Sequence, residues 1–176
     1  MKILDYECIN SMDIKTSDCF LWAEEMIRNK DKAVLPPKTH LNMKGNIFCN
    51  VMPSIISVEG HMYGGVKVVT RYPDRIPSLD SKIMLLDMET GEMLALLDGN
   101  WITAMRTGAV AAHSIKTFAR TGYKEFGMVG LGNTARSTLL ILNSLEKNRN
   151  IHIKLLRYKD QAEQFIRELP VVSSTQ

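Results

Sequence analysis

The chain has 176 residues, 45% apolar and 23% charged, and its 22 basic and 19 acidic side chains leave a net charge of +3. That length supports one ordinary domain, or one domain and part of a second, with a core that needs no disulfide or metal staple. So mild a charge excludes the strongly basic surfaces that nucleic-acid and membrane-surface binders carry. Cys8, Cys19 and Cys49 are odd in number and widely spaced, and His40, His61, His113 and His152 are scattered. This points to reduced thiols, a cytoplasmic protein and no metal site built from local motifs. Asp5 and Glu7 stand where a signal peptide needs an apolar run, and no apolar run approaches a membrane span.

In chain order, TSDCFLWAEEMIRNK predicts a helix, with Phe20, Ala23, Met26 and Ile27 on one face and Ser17 as N-cap. VLPPKTHLN reads as extended, because Pro36 and Pro37 deny helix to the residues before them. Three strand-like segments follow: NIFCNVMPSIISV, MYGGVKVVTRYP and KIMLLDMETGEMLALLD. The last reads as a hairpin turning at ETGE. These antiparallel strands and the first helix are expected to form one unit. A long helix over about 102–120 comes next, with Asn100 or Thr103 as its cap and Gly122 past its end. The pattern then changes to strand 125–130, helix 133–147, strand 151–157 and helix 159–169, a β-α-β-α run that implies parallel strands. The fold class is α/β, with the boundary near Arg120–Lys124.

Four features carry candidate chemistry. Gly130 to Ala135, GLGNTA, fits G-x-G-x-x-G/A between a strand and a helix. Gly130 makes the tight turn there, Gly132 lets the backbone approach a pyrophosphate, and the helix N-terminus offers free N–H groups. An NAD site needs an acid at the end of the second strand, where this chain has Arg157, with Lys159 close by. Arginine there suits a 2′-phosphate, so the cofactor is NAD or NADP with a lean to NADP. A solvated basic strand end, or Asp160 as the acid of a longer strand, remain alternatives. Lys67 interrupts the apolar GGVKVVT and needs either a partner or a wet sheet face. Arg106, near a helix N-terminus, goes against the dipole rule and so faces an anion or pairs with a carboxylate such as Asp98. Lys147, Arg149, Lys154, Arg157 and Lys159 have only Tyr158 among them, and read as a solvated face rather than a nucleic-acid site.

VKVVTRYP, DMETGEMLALLDGNWITAMRTGAVAA and VGLGNTAR together resemble the ornithine cyclodeaminase / mu-crystallin family, over essentially the whole chain. The resemblance implies a substrate-binding and dimerisation domain over 1–122 and the first part of an NAD(P)-binding Rossmann domain over 123–176. It also implies a homodimer acting on an amino acid or cyclic imine by hydride transfer: ornithine to proline and ammonia, or imine reduction. In the site it implies, Lys67 is the catalytic lysine beside the substrate carboxylate and amine, and Arg106 holds that carboxylate and approaches the cofactor. Lys38 stands where many members have arginine, which gives up the planar bidentate grip. Ser81 falls near a hydroxyl that touches the cofactor, and Asn133 and Thr134 fall on the phosphate turn. No residue here matches the family's catalytic aspartate, so two other functions stand beside the enzyme: a non-catalytic dimerisation or nucleotide-binding module, and a crystallin-like small-ligand binder.

Overall fold

The computed structural model describes residues 1–146 and 150–169. Lys147 and Arg149 of the basic face therefore lie outside the described residues. The chain forms two compact units, Met1–Asp13 with Met26–Thr103, and Ile14–Glu25 with Ala104–Gln176.

The first unit is built on a six-stranded sheet. Its strands are β1 (Lys2–Leu4), β2 (Thr39–Asn42), β3 (Phe48–Val58), β4 (His61–Arg71), β5 (Leu79–Asp87) and β6 (Met93–Asp98), in the order β1-β6-β5-β4-β3-β2. The three long segments read as strands are β3, β4 and the β5–β6 hairpin. β3 turns into β4 through Glu59 and Gly60, with φ of 52° and 85°. Positive φ at both central residues is the turn whose twist matches a two-residue hairpin. The second hairpin is closed by the Asp87 carboxylate, which accepts from the backbone N–H groups of Glu89 and Thr90 at 2.8 and 3.1 Å. Those two bonds, led by the one to Glu89, hold the Asp87 carboxyl below its ordinary value.

β1 and a short helix α1 (Tyr6–Asn10) lie in the N-terminal ten residues, which carry too little periodicity to announce them. β1 joins β6 in parallel, against the antiparallel pattern of the rest. The Asp5 carboxylate caps α1 by accepting from the Cys8 N–H at 2.8 Å. Helix α2 (Thr16–Arg28) begins earlier than expected: the Lys15 carbonyl accepts from Asp18 and Cys19, so Ser17 lies inside the helix rather than at its cap.

Helix α3 (Asn100–Phe118) is the long helix. Its cap also differs from the expected residues. The Gly99 carbonyl accepts the Thr103 N–H at 2.8 Å, and the Asp98 carboxylate accepts the Asn100 N–H at 2.8 Å. A carboxylate here also suits the positive end of the helix dipole. Gly122, with φ of 72°, belongs to a turn closed by Tyr123 N–H donating to the Arg120 carbonyl.

In the second unit β7 (Glu125–Met128) and β8 (His152–Leu155) pair in parallel, and α4 (Asn133–Leu145) and α5 (Gln161–Glu168) follow them in turn. This is the β-α-β-α run that the periodicity predicts. Leu139, Ile141 and Leu142 of α4, Phe165 of α5, Ala109 and Ala112 of α3, and Cys19 and Phe20 of α2 are buried. The small residues of α3 let α4 come close. A Cβ at Gly108 would lie 2.6 Å from the Ser137 Cβ and 2.7 Å from the Thr138 backbone nitrogen. Ser137 and Thr138 tolerate burial because their hydroxyls donate to the carbonyls of Asn133 and Thr134.

Gly108→Ala should therefore destabilise the protein by about 1–3 kcal/mol, because overlap with fixed backbone outweighs the roughly 1 kcal/mol that alanine gains in a helix. The urea unfolding midpoint measures this, and a midpoint at or above that of the unaltered chain would contradict the close crossing.

Candidate functional site

Lys67 sits in the middle of β4, opposite Met52 of β3 and Ile83 of β5. Strand alternation puts it on one face with Gly65 and Val69, and the cross-strand register adds Ser81, Ile83 and Leu85. The side chain is half-buried, and its Nζ stands 3.5 Å from Thr103 Oγ1. Thr103 Oγ1 is in turn 3.3 Å from Ser81 Oγ. Two of the residues singled out from sequence, Lys67 and Ser81, thus meet through the hydroxyl of Thr103, which sequence offered only as a helix cap.

Behind that hydroxyl pair lies a polar cluster at the start of α3. Ser81 is 1% exposed, and its N–H and Oγ both donate to Asn100 Oδ1, at 2.9 and 3.2 Å. Asn100 Nδ2 donates to Asp80 Oδ1 at 2.9 Å. Lys82 Nζ donates to Asp98 Oδ2 at 2.7 Å and to Asp80 Oδ1 at 3.1 Å. The Gly99 N–H donates to the Ser81 carbonyl at 2.7 Å, and a Cβ at Gly99 would come within 2.7 Å of Ser81 Oγ. The glycine is thus required by close approach to β5. Asp98, the carboxylate that sequence offered to Arg106, is engaged by Lys82 and Asn100.

Burial raises the Asp80 carboxyl, but the Asn100 and Lys82 bonds outweigh it and hold the group below its ordinary value of 3.8. The bond to Asp98 is the largest influence on Lys82 and lifts it above 10.5. None of Asp80, Lys82, Asn100 and Thr103 stood out as a site residue. The available signal was an Asp-Gly pair directly before a helix, preceded by a strand with two charges flanking a serine.

The glycine turn is the second constellation. Gly130 has φ of 82°, the left-handed conformation that glycine adopts without strain. Gly132 is the N-cap of α4 with φ of −89° and makes no side-chain cap, and among the described residues no atom lies within 4 Å of an added Cβ. Neither backbone conformation nor protein packing therefore requires glycine at 132. Asn133 and Thr134 are exposed on the first turn of α4, whose leading N–H groups have no acceptor within the helix. β7 and β8 run parallel, so this turn and Arg157 leave the sheet at the same end. Arg157 Nη2 lies 2.8 Å from Glu163 Oε1 of α5. β8 ends at Leu155, so Asp160 is not on a longer strand but at the start of α5.

Lys38 is exposed just before β2, in the first unit. Arg106 is exposed on α3 among the residues of the second unit. Among the described residues, no group of three or more His, Cys, Asp or Glu side chains is placed to hold a metal, and no helix is long and apolar enough to cross a membrane.

The sequence model of the ornithine cyclodeaminase/mu-crystallin family matches residues 7–174. The chain belongs to this family. It is 38% identical over 90 residues to a Delta(1)-pyrroline-2-carboxylate reductase of Bacillus cereus, a match covering 49% of this chain and 27% of the reductase. The fold matches an archaeal alanine dehydrogenase dimer with bound NAD, with a TM-score of 0.82 and 28% identity. It also matches the Thermococcus litoralis Delta(1)-pyrroline-2-carboxylate reductase in complex with NADH and L-proline, with a TM-score of 0.80 and 30% identity. Each likeness covers 96% of this chain, which spans about half the length of those proteins, 52% and 53%.

Asn100→Ala should leave the buried Ser81 N–H without its acceptor and cost about 1–3 kcal/mol, read from denaturant unfolding. Stability should also depend on pH in a defined sense. Asp80 is depressed in the fold, so its contribution is present above the ordinary carboxylate value and is lost as pH falls through the folded value. Lys82 is raised, so its contribution is present below 10.5 and is lost as pH rises through the folded value. Asp80→Asn should flatten the acid limb of the stability profile. An acid limb of unchanged steepness would remove Asp80 from this account.

Proposed function

We propose that this chain carries the nucleotide turn and part of the substrate site of an NAD(P)-dependent protein acting on an amino acid or cyclic imine by hydride transfer. Its division by role is a substrate-binding and dimerisation part over 1–122 and the beginning of a Rossmann domain over 123–176. The observation that carries this reading is Gly132. Nothing among the described residues requires glycine there, and what glycine provides is open backbone next to the leading N–H groups of α4. A pyrophosphate fits that description. Gly130 shapes the turn, and Asn133 and Thr134 offer their N–H groups and polar side chains to the same phosphates.

The dinucleotide supplies hydride exchange with the substrate α-carbon. The residues of this chain bind and orient. Lys67 is assigned to the substrate carboxylate, and its half-buried position on an apolar strand strengthens its pull on an anion relative to open water. Thr103 holds the Lys67 ammonium in place, and Ser81 holds Thr103. Ser81 is thus assigned to orienting that pair, since its hydroxyl is turned to Asn100 and Thr103. The family likeness supports a carboxylate role for Arg106, with an approach to the cofactor, and a lesser one for Lys38. Positioning of this kind is worth several kcal/mol of barrier when the reacting atoms are held in line. Arg157, taken by itself, suits a 2′-phosphate. The dimer form of the archaeal relative supports a homodimer, and three free cysteines suit the cytoplasm.

Titrating the chain with NADH and NADPH, followed by nucleotide fluorescence, tests the reading, and saturable binding of at least one is expected. Gly132→Ala should weaken that binding at least about tenfold, by blocking close approach to the phosphates. The same change should alter stability by no more than about 1 kcal/mol, the scale of an N-cap change. Equal affinity in the two forms would show that nothing approaches the turn.

A further inference from the structure

We propose that Glu163 sets the cofactor preference of this site, acting as the acid that its second strand lacks and favouring NAD(H) over NADP(H). This rests on the nucleotide-binding reading above and adds a residue to it. The ordinary position for such an acid lies at the end of the second strand, and here the nearest charged residue past that end, two beyond Leu155, is Arg157. Arg157 alone would favour a 2′-phosphate. In the structure, however, its guanidinium is paired with the Glu163 carboxylate at 2.8 Å. Glu163 lies in the first turn of α5, six residues further along, and is brought back to the strand end by the reversal through Lys159, whose φ is 51°. The acid is therefore present in space and displaced in sequence.

The charge arithmetic decides which nucleotide gains. A 2′-phosphate that seats on Arg157 must share the guanidinium with Glu163 or displace it. Sharing sets a phosphate of charge near −2 against a carboxylate only a few ångströms away. An unmodified ribose presents a 2′-hydroxyl there instead, which donates to a carboxylate at no charge penalty. Arg157 is 74% exposed and Glu163 47%, so water and salt screen both the pair and the repulsion. The effect is one of selectivity, several-fold rather than thousands-fold. The Lys159 ammonium lies over the Tyr158 ring, 5.4 Å from its centroid.

The test is a paired titration of the unaltered chain, Glu163→Gln, Arg157→Gln and the double variant with NADH and NADPH at low and moderate salt. The unaltered chain should bind NADH more tightly. Glu163→Gln should tighten NADPH by about fivefold or more at low salt, less at high salt, and should weaken NADH by about twofold or more, because an amide accepts the 2′-hydroxyl less strongly than a carboxylate. The double variant should lose the NADPH gain, because that gain comes through Arg157. Both residues are exposed, and circular dichroism checks that each variant is folded. An NADPH/NADH ratio unmoved by Glu163→Gln would overturn the role of Glu163 and leave nucleotide binding intact. So would tighter NADPH binding by the unaltered chain. Binding of neither nucleotide by any folded form would instead overturn the nucleotide-binding reading, and this inference with it.

Discussion

The Asp98 carboxylate is nine-tenths buried, and a charge in that position must be answered by neighbours. Lys82 answers it from β5, and Asn100 answers it from the first turn of α3. The requirement ties a strand end, its neighbour and a helix start into one arrangement. Gly99, between the acid and the helix, has to be glycine because the chain passes directly over Ser81. Asn100 then spends its amide on Ser81 and Asp80, and Thr103 is left facing Lys67. The candidate substrate lysine of β4 is thus linked, through two hydroxyls and an amide, to a carboxylate at the end of β6, two strands away.

A different constraint governs the second unit. There the decisive element is an absent side chain rather than a charge. Gly108 lets α3 and α4 approach until backbone meets side chain, and Ser137 and Thr138 satisfy their hydroxyls within α4 so that the contact contains no stranded donor. Helix α4 opens at the glycine turn, so the helix pressed close at residue 108 is the one that begins at the proposed nucleotide turn. Two glycines in this unit thus have opposite reasons. Gly108 is needed because Ser137 and Thr138 are near, and Gly132 stands where none of the described residues is.

Much of the fold is legible in the sequence. Alternation marked β3 to β6, because half-covered strands must show one apolar face. The change to longer periodic segments marked β7, α4, β8 and α5 and their parallel pairing. Family membership was legible from local motifs that need no partner across the fold. The helix caps were not legible. Ser17, Asn100 and Thr103 are all good capping residues, and choosing between them and Lys15 or Asp98 requires knowing which carbonyl or carboxylate the chain turns toward. β1 was invisible because three residues carry no period and their partner, β6, is more than ninety positions away.

The site divides in the same way. Sequence by itself determined the identity of the motif residues, Lys67 within an apolar strand and glycines 130 and 132 between a strand and a helix, because each is unusual in its own local setting. Tertiary structure alone decided what they face. It put Thr103 beside Lys67, turned Ser81 inward, gave Asp98 to Lys82 and Asn100, and set Glu163 against Arg157. The physical reason is that hydrogen bonds and ion pairs act over about 3 Å in space, whatever the separation along the chain. Spacing in sequence reports on them only where a helix or a strand carries both partners.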